Sequence, residues 1–96
     1  MKTLTEIKQS LSERKTKFLE RYPIKSIAIF GSYARNEQND ESDVDILVEF
    51  SGNIGIQFID LAEEIESHLG VKVDLVSRKG IKDRYFQSIK SDLVYV

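Results

Sequence analysis

The chain has no cysteine, and among its 96 residues there is one proline, one histidine and one methionine. The missing thiols exclude disulfides, thiolate nucleophiles and zinc–thiolate sites together. No apolar run exceeds four residues, far short of the roughly 18 that mark a membrane span. The opening MKTLTEIKQS is polar and lacks the apolar centre of a secretory signal. The expected location is therefore the cytoplasm, with no membrane partner.

Positive charge is missing from the middle of the chain. No Lys or Arg occurs from residue 36 to residue 71, and residues 30–74 hold eleven acids against Arg35 and Lys72. Residues 1–29 carry seven basic residues against three acids, and residues 75–96 carry five against two. An acidic centre between basic ends does not suit a protein that coats nucleic-acid phosphates, and no direct nucleic-acid binding is expected. It suits a site that receives a cation. The 41% apolar and 31% charged residues are those of a globular protein, and the length predicts one domain over residues 1–96.

Hydrophobic spacing gives the element order. Leu4, Ile7, Leu11, Phe18 and Tyr22 mark one face of a helix of about five turns, ended by Pro23. KSIAIF, 25–30, predicts a strand that stops at Gly31. A helical turn is expected at 33–37 with Ser32 as its N-cap. DVDILVEF, 43–50, alternates: Val44, Ile46, Val48 and Phe50 share one face, and Asp43, Asp45, Leu47 and Glu49 the other. Phe58, Leu61, Ala62, Ile65 and Leu69 mark a second helix, closed by Gly70. VKVDLV, 71–76, is a third strand with Asp74 on its outer face. A short helix over 82–90 and an edge strand at LVYV complete an α/β (α+β) domain, a small mixed sheet with helices mainly on one face.

The chemistry lies between Ile27 and Phe50. Alternation places Asp43 and Asp45 on one side of a strand, about 7 Å apart, where like charges raise each other's pKa and cost stability. The neighbouring sequence offers almost no cation to offset them, and Mg²⁺ is the economical alternative. If the first two strands are antiparallel and the next connection is a right-handed crossover, Asp74 joins the other two. A third carboxylate suits two-ion displacement at phosphorus. Gly31 lets the backbone turn tightly beside a ligand, and a following helical turn presents N–H groups to phosphate. Each feature also has an ordinary explanation: Asp-x-Asp as a solvated strand start, Gly-Ser as a turn, Asp74 as a partner of Lys72.

Taken together, GSYARNEQNDESDVDILVEF resembles the G-S-x10-D-x-D signature of the polymerase-β-like nucleotidyltransferases. GSYAR and SDVDILV are similar in particular to the minimal nucleotidyltransferase (MNT) antitoxins of HEPN–MNT toxin–antitoxin pairs. The similarity runs over nearly the whole chain. One departure is Asn36, where relatives often carry Gly. The resemblance implies a polymerase-β palm-like fold, with Gly31 and Ser32 holding the ATP triphosphate and Asp43 and Asp45 binding two Mg²⁺ ions. Asp74 would complete one ion's shell and help deprotonate the attacking hydroxyl. Arg35 either touches phosphate or serves as a structural cation.

The activity implied is adenylyl transfer from ATP to a tyrosine of a cognate HEPN RNase toxin, silencing it. The chain ends 22 residues after Asp74, which leaves no room for an acceptor domain and favours an acceptor brought by another macromolecule. Two other functions fit the same residues: a non-catalytic module that masks the toxin, and a stand-alone transferase acting on a small molecule or RNA. His68 is expected to serve as a charge at a helix end. Tyr33, Tyr85 and Tyr95 are packing residues, partner contacts or modification sites. The basic run 77–79, with Lys82 and Arg84, is either a solvated loop or a face for a nucleotide tail or partner.

Overall fold

The computed structural model describes residues 2–96. The order is α1 (Leu4–Arg21), β1 (Ile24–Phe30), α2 (Gly31–Ala34), β2 (Val44–Phe50), α3 (Gln57–Leu69), β3 (Val73–Ser77), α4 (Asp83–Ile89), a 3₁₀ turn (Lys90–Asp92) and β4 (Val94–Tyr95). The strands form one mixed sheet in the order β3-β2-β1-β4. β1 is antiparallel to both neighbours, and β2 is parallel to β3. The antiparallel first pair and the β2–α3–β3 connection are those expected from the sequence.

The 3.6 and 2.0 periodicities converge on one main core. Ile7, Leu11 and Phe18 of α1 and Leu61, Ile65 and Leu69 of α3 cover Ile27, Ile29, Val44, Ile46, Val48 and Leu75 of the sheet. α1 starts on a capping box, in which Thr3 accepts from the Glu6 N–H and the Glu6 carboxylate accepts from the Thr3 N–H. Such a cap contributes about 1 kcal/mol. α3 ends where Gly70 takes φ 69° and donates to the Glu66 carbonyl. His68 lies in the last turn of α3, as expected, and makes a further contact. Its Nε2 donates to the Ser10 carbonyl at 2.8 Å, tying α3 to α1; further along α1 the Arg21–Glu64 ion pair and the Tyr22 hydroxyl, which also donates to Glu64, make a second tie.

The second face of the sheet is covered by the short α4. Phe30, Leu47 and Ile89 are buried there, packed with Val76, Ile81, Phe86 and Leu93. The two long helices thus share one face, and α4 lies across the other, which also carries the acids. Arg78 of the basic run stacks on the Phe86 ring at 3.8 Å, pairs with Asp83 at 3.4 Å and donates its N–H to the Val48 carbonyl. It is a structural cation holding α4 to the sheet.

β1 carries an irregularity that its sequence conceals. Strict alternation would put Ile24 on the face of Ala28 and Phe30, yet Ile24 is buried in the main core opposite Phe50. The register shift between Ile24 and Ser26 is the cause, since one extra residue in a strand turns what precedes it to the other side. Among the described residues, no helix is long and apolar enough to cross a membrane.

Candidate active site

Register assembles the site. Asp45 of β2 stands opposite Phe30, the last residue of β1, and opposite Asp74 of β3. Neighbouring Cα partners point to the same side, so both carboxylates lie on the α4 face. Asp43 sits two residues before Asp45, where alternation gives it the same side, and the charges of both Asp43 and Asp74 act on Asp45. The structure therefore gathers Asp43, Asp45 and Asp74 at one end of one face.

The turn after β1 is built against these acids. Gly31 has φ +76°, and a Cβ there would overlap the Asp45 carboxylate at Oδ2. Two independent constraints thus demand glycine: a left-handed backbone and a close approach of the chain to a side chain. The helical turn begins directly at Gly31 with Phe30 as its cap residue, and Ser32 makes no capping hydrogen bond. This corrects the expected turn at 33–37 with Ser32 as N-cap. Gly31 supplies the reversal itself, so Ser32 falls inside the first turn with its hydroxyl uncommitted. The N–H groups of a first turn have no intrahelical acceptor, and those of Arg35, Asn36 and Glu37 close back on Gly31, Tyr33 and Ser32 carbonyls. Asn36 has φ 57°. Asparagine is among the few L-residues that tolerate the left-handed region, so the turn does not require glycine there.

Electrostatics mark Asp45 as uncompensated. The Asp45 carboxyl is pushed up to about 6, first by burial and then by the charges of Asp74 and Asp43, with Arg35 opposing. Among the described residues no side chain forms an ion pair or hydrogen bond with any of the three acids, and Lys72 does not pair with Asp74. Arg35 is held by Glu37 at 2.8 Å and Asp92 at 2.7 Å, which clamps α2 to the segment after α4. It is a structural cation within electrostatic reach of Asp45.

The donor set fits a hard cation in kind. Among the described residues, however, no three acids or histidines are drawn in far enough to hold an ion by themselves. Mg²⁺ ordinarily takes one or two carboxylates with substrate phosphates and water, not an all-protein cage, so the spacing is compatible with an ion that arrives with a nucleotide.

One neighbour escaped sequence reasoning. α4 brings Tyr85 to the acids, and burial and the charges of Asp45 and Asp74 raise its pKa. No periodicity indicates which side of the sheet a final short helix will cover. Of the other tyrosines singled out, Tyr33 is buried in the main core and Tyr95 is exposed on β4.

The sequence profile described as "nucleotidyltransferase domain" matches residues 7–96. The chain belongs to this family. A Methanocaldococcus jannaschii protein named as a protein adenylyltransferase is 51% identical over 98 residues, covering all of both chains. Protein adenylyltransferase MntA of Thermococcus cleftensis is 40% identical over 97 residues, covering all of this chain and 98% of its own. Among solved structures, a toxin–antitoxin crystal structure with AMP-PNP contains a chain 27% identical to this one, with a TM-score of 0.72. The match covers 86% of this chain and 69% of that one. The fold expected from the sequence is therefore the one found.

Proposed function

We propose that this nucleotidyltransferase is an antitoxin that moves AMP from ATP to a hydroxyl of a partner protein, the tyrosine of a HEPN-type RNase toxin, and so silences it. The observation that carries the reading is the group of three unpaired carboxylates on one sheet face, with Gly31 held directly against Asp45. A purely masking module has no use for this costly arrangement. Support for the substrate and partner comes from the adenylyltransferase name of the Thermococcus relative and from the nucleotide-bound toxin–antitoxin structure.

In this reading the turn at Gly31 and Ser32 receives the triphosphate through free N–H groups and the Ser32 hydroxyl. Asp43, Asp45 and Asp74 would hold Mg²⁺ brought with the nucleotide. Bound there, Mg²⁺ would supply neutralisation of phosphate charge for in-line displacement. Asp74, the most open of the three, takes the proton from the attacking hydroxyl. No protein nucleophile is required, because phosphoryl-type transfer depends on positioning and charge stabilisation.

The test is to incubate the purified chain and its candidate toxin with labelled ATP and Mg²⁺. Label should appear on a toxin tyrosine and vanish with Asp43→Asn/Asp45→Asn. Toxin neutralised without label, equally well by the double variant, would establish masking instead.

A further inference from the structure

Tyr85 lies in the first turn of α4, and its ring meets Phe30 edge-on at 6.4 Å and 84°. Phe30 is the register partner of Asp45 and immediately precedes Gly31. The ring therefore stands on the acid-bearing face beside the reacting end of the sheet. Its hydroxyl lies within the fields of both Asp45 and Asp74, yet the side chain remains 43% exposed. Tyr85 also borders a cavity of about 400 Å³ with Val76, Ile81, Lys82, Arg84 and Ser88. Val76 is two residues beyond Asp74 on the same face of β3.

In-line displacement dictates where an acceptor stands. If Gly31 and Ser32, at the end of β1, hold the departing phosphates, the entering hydroxyl must come from the opposite side. In the order β1-β2-β3 that is the side of Asp74 and Val76; Tyr85, whose ring edge meets Phe30 of β1, also lines the cavity that reaches Val76 of β3. The other tyrosines do not meet this requirement. Tyr33 is buried in the main core, Tyr22 is bonded to Glu64, and Tyr95 lies on β4, separated from β2 by β1.

We infer that Tyr85 is itself an acceptor, and that the chain without its partner transfers AMP from ATP to its own Tyr85 hydroxyl. The inference rests on the transferase reading above. Tyr85 Oη attacks the α-phosphorus. The Oη–P bond forms as the bond from that phosphorus to the bridging oxygen breaks, and pyrophosphate departs with the electron pair. The phenolic proton passes to the Asp74 carboxylate and then to water. The adenosine monophosphate then lies over the cavity, which is of a size that takes small ligands, with Lys82 and Arg84 at the rim facing the new phosphodiester charge. The group covers the side from which another hydroxyl would enter, so the modification withdraws chains that have no partner.

The experiment uses the purified full chain with ATP and Mg²⁺ and no partner, followed by intact mass and peptide mapping. A single adenylyl adduct is expected on the peptide containing Tyr85. It should be absent in Tyr85→Phe and in Asp45→Asn, and retained in Tyr95→Phe. Tyr85→Phe removes one oxygen from a half-exposed ring, and its melting curve verifies folding. A parallel arm adds the candidate toxin. Label on the toxin with none on Tyr85 in either arm would overturn this inference and leave the transferase reading standing. An adduct on another residue of the chain would also overturn it. No label on either protein would overturn both.

Discussion

Replacing Asp45 by Asn should stabilise the free protein while abolishing transfer. The folded chain holds the Asp45 carboxyl at about 6 against 3.8 for the free group, through burial and the charges of Asp74 and Asp43. A shift of about two units corresponds to about 3 kcal/mol without screening. The carboxyl is only half-buried, and solvent screening leaves about 1 kcal/mol. The sign follows from proton binding. Between about pH 4 and 6 the folded state holds a proton that the unfolded state has lost, so stability falls as pH rises through that window. Asn keeps the shape without the charge. At pH 7–8 and low salt, without divalent ions, Asp45→Asn should unfold at a temperature higher by roughly 4–8 °C, the range for about 1 kcal/mol in a domain of this size. The gap should close as pH falls to about 4, where the native carboxyl is already neutral in the folded state. Thermal melts followed by circular dichroism at five pH values would measure it. A variant no more stable than wild type at pH 8, or a gap that stays constant with pH, would refute the argument that these acids are uncompensated.

Three other perturbations test the frame around them. Gly31→Ala should lower stability by at least 1–2 kcal/mol from its left-handed φ alone, with a further loss as Asp45 is displaced, and transfer should disappear; urea titration and the labelled-ATP assay would check both. Arg35→Ala removes two exposed ion pairs, so stability should change by less than about 1 kcal/mol. The Asp45 carboxyl should nevertheless titrate at higher pH, because Arg35 is the cation that opposes its shift, and carbon-detected NMR of the carboxyl would show this. Leu47→Ala empties the contact between the sheet and α4 and should cost about 2–5 kcal/mol by urea unfolding, a loss far too large for a side chain facing solvent.

The legible parts of this fold are those with a sustained period. Five apolar residues at helical spacing placed α1 and α3, and the alternation of Val44, Ile46 and Val48 against Asp43, Asp45 and Leu47 gave both the strand and the face of its acids. Asp74 joined them because antiparallel pairing followed by a parallel crossover returns the chain to the same end of the sheet. What stayed hidden depends on geometry without a period. The register shift that turns Ile24 into the main core leaves no mark on its neighbours. The turn at Gly31 starts earlier than expected, at a positive φ and without a side-chain cap, so Ser32 lies inside it. A final helix of seven residues can pack on either face, so the meeting of Tyr85 with the acids, and that of Arg35 with Asp92, could be seen only in three dimensions.

Calorimetric titration of the protein with a non-hydrolysable ATP analogue, with and without Mg²⁺, tests the central claim most directly. The account predicts that nucleotide binds only when the ion is present, and that Asp43→Asn/Asp45→Asn abolishes binding although the variant is folded and more stable. Equal affinity with and without the ion, or undiminished binding by the double variant, would contradict it.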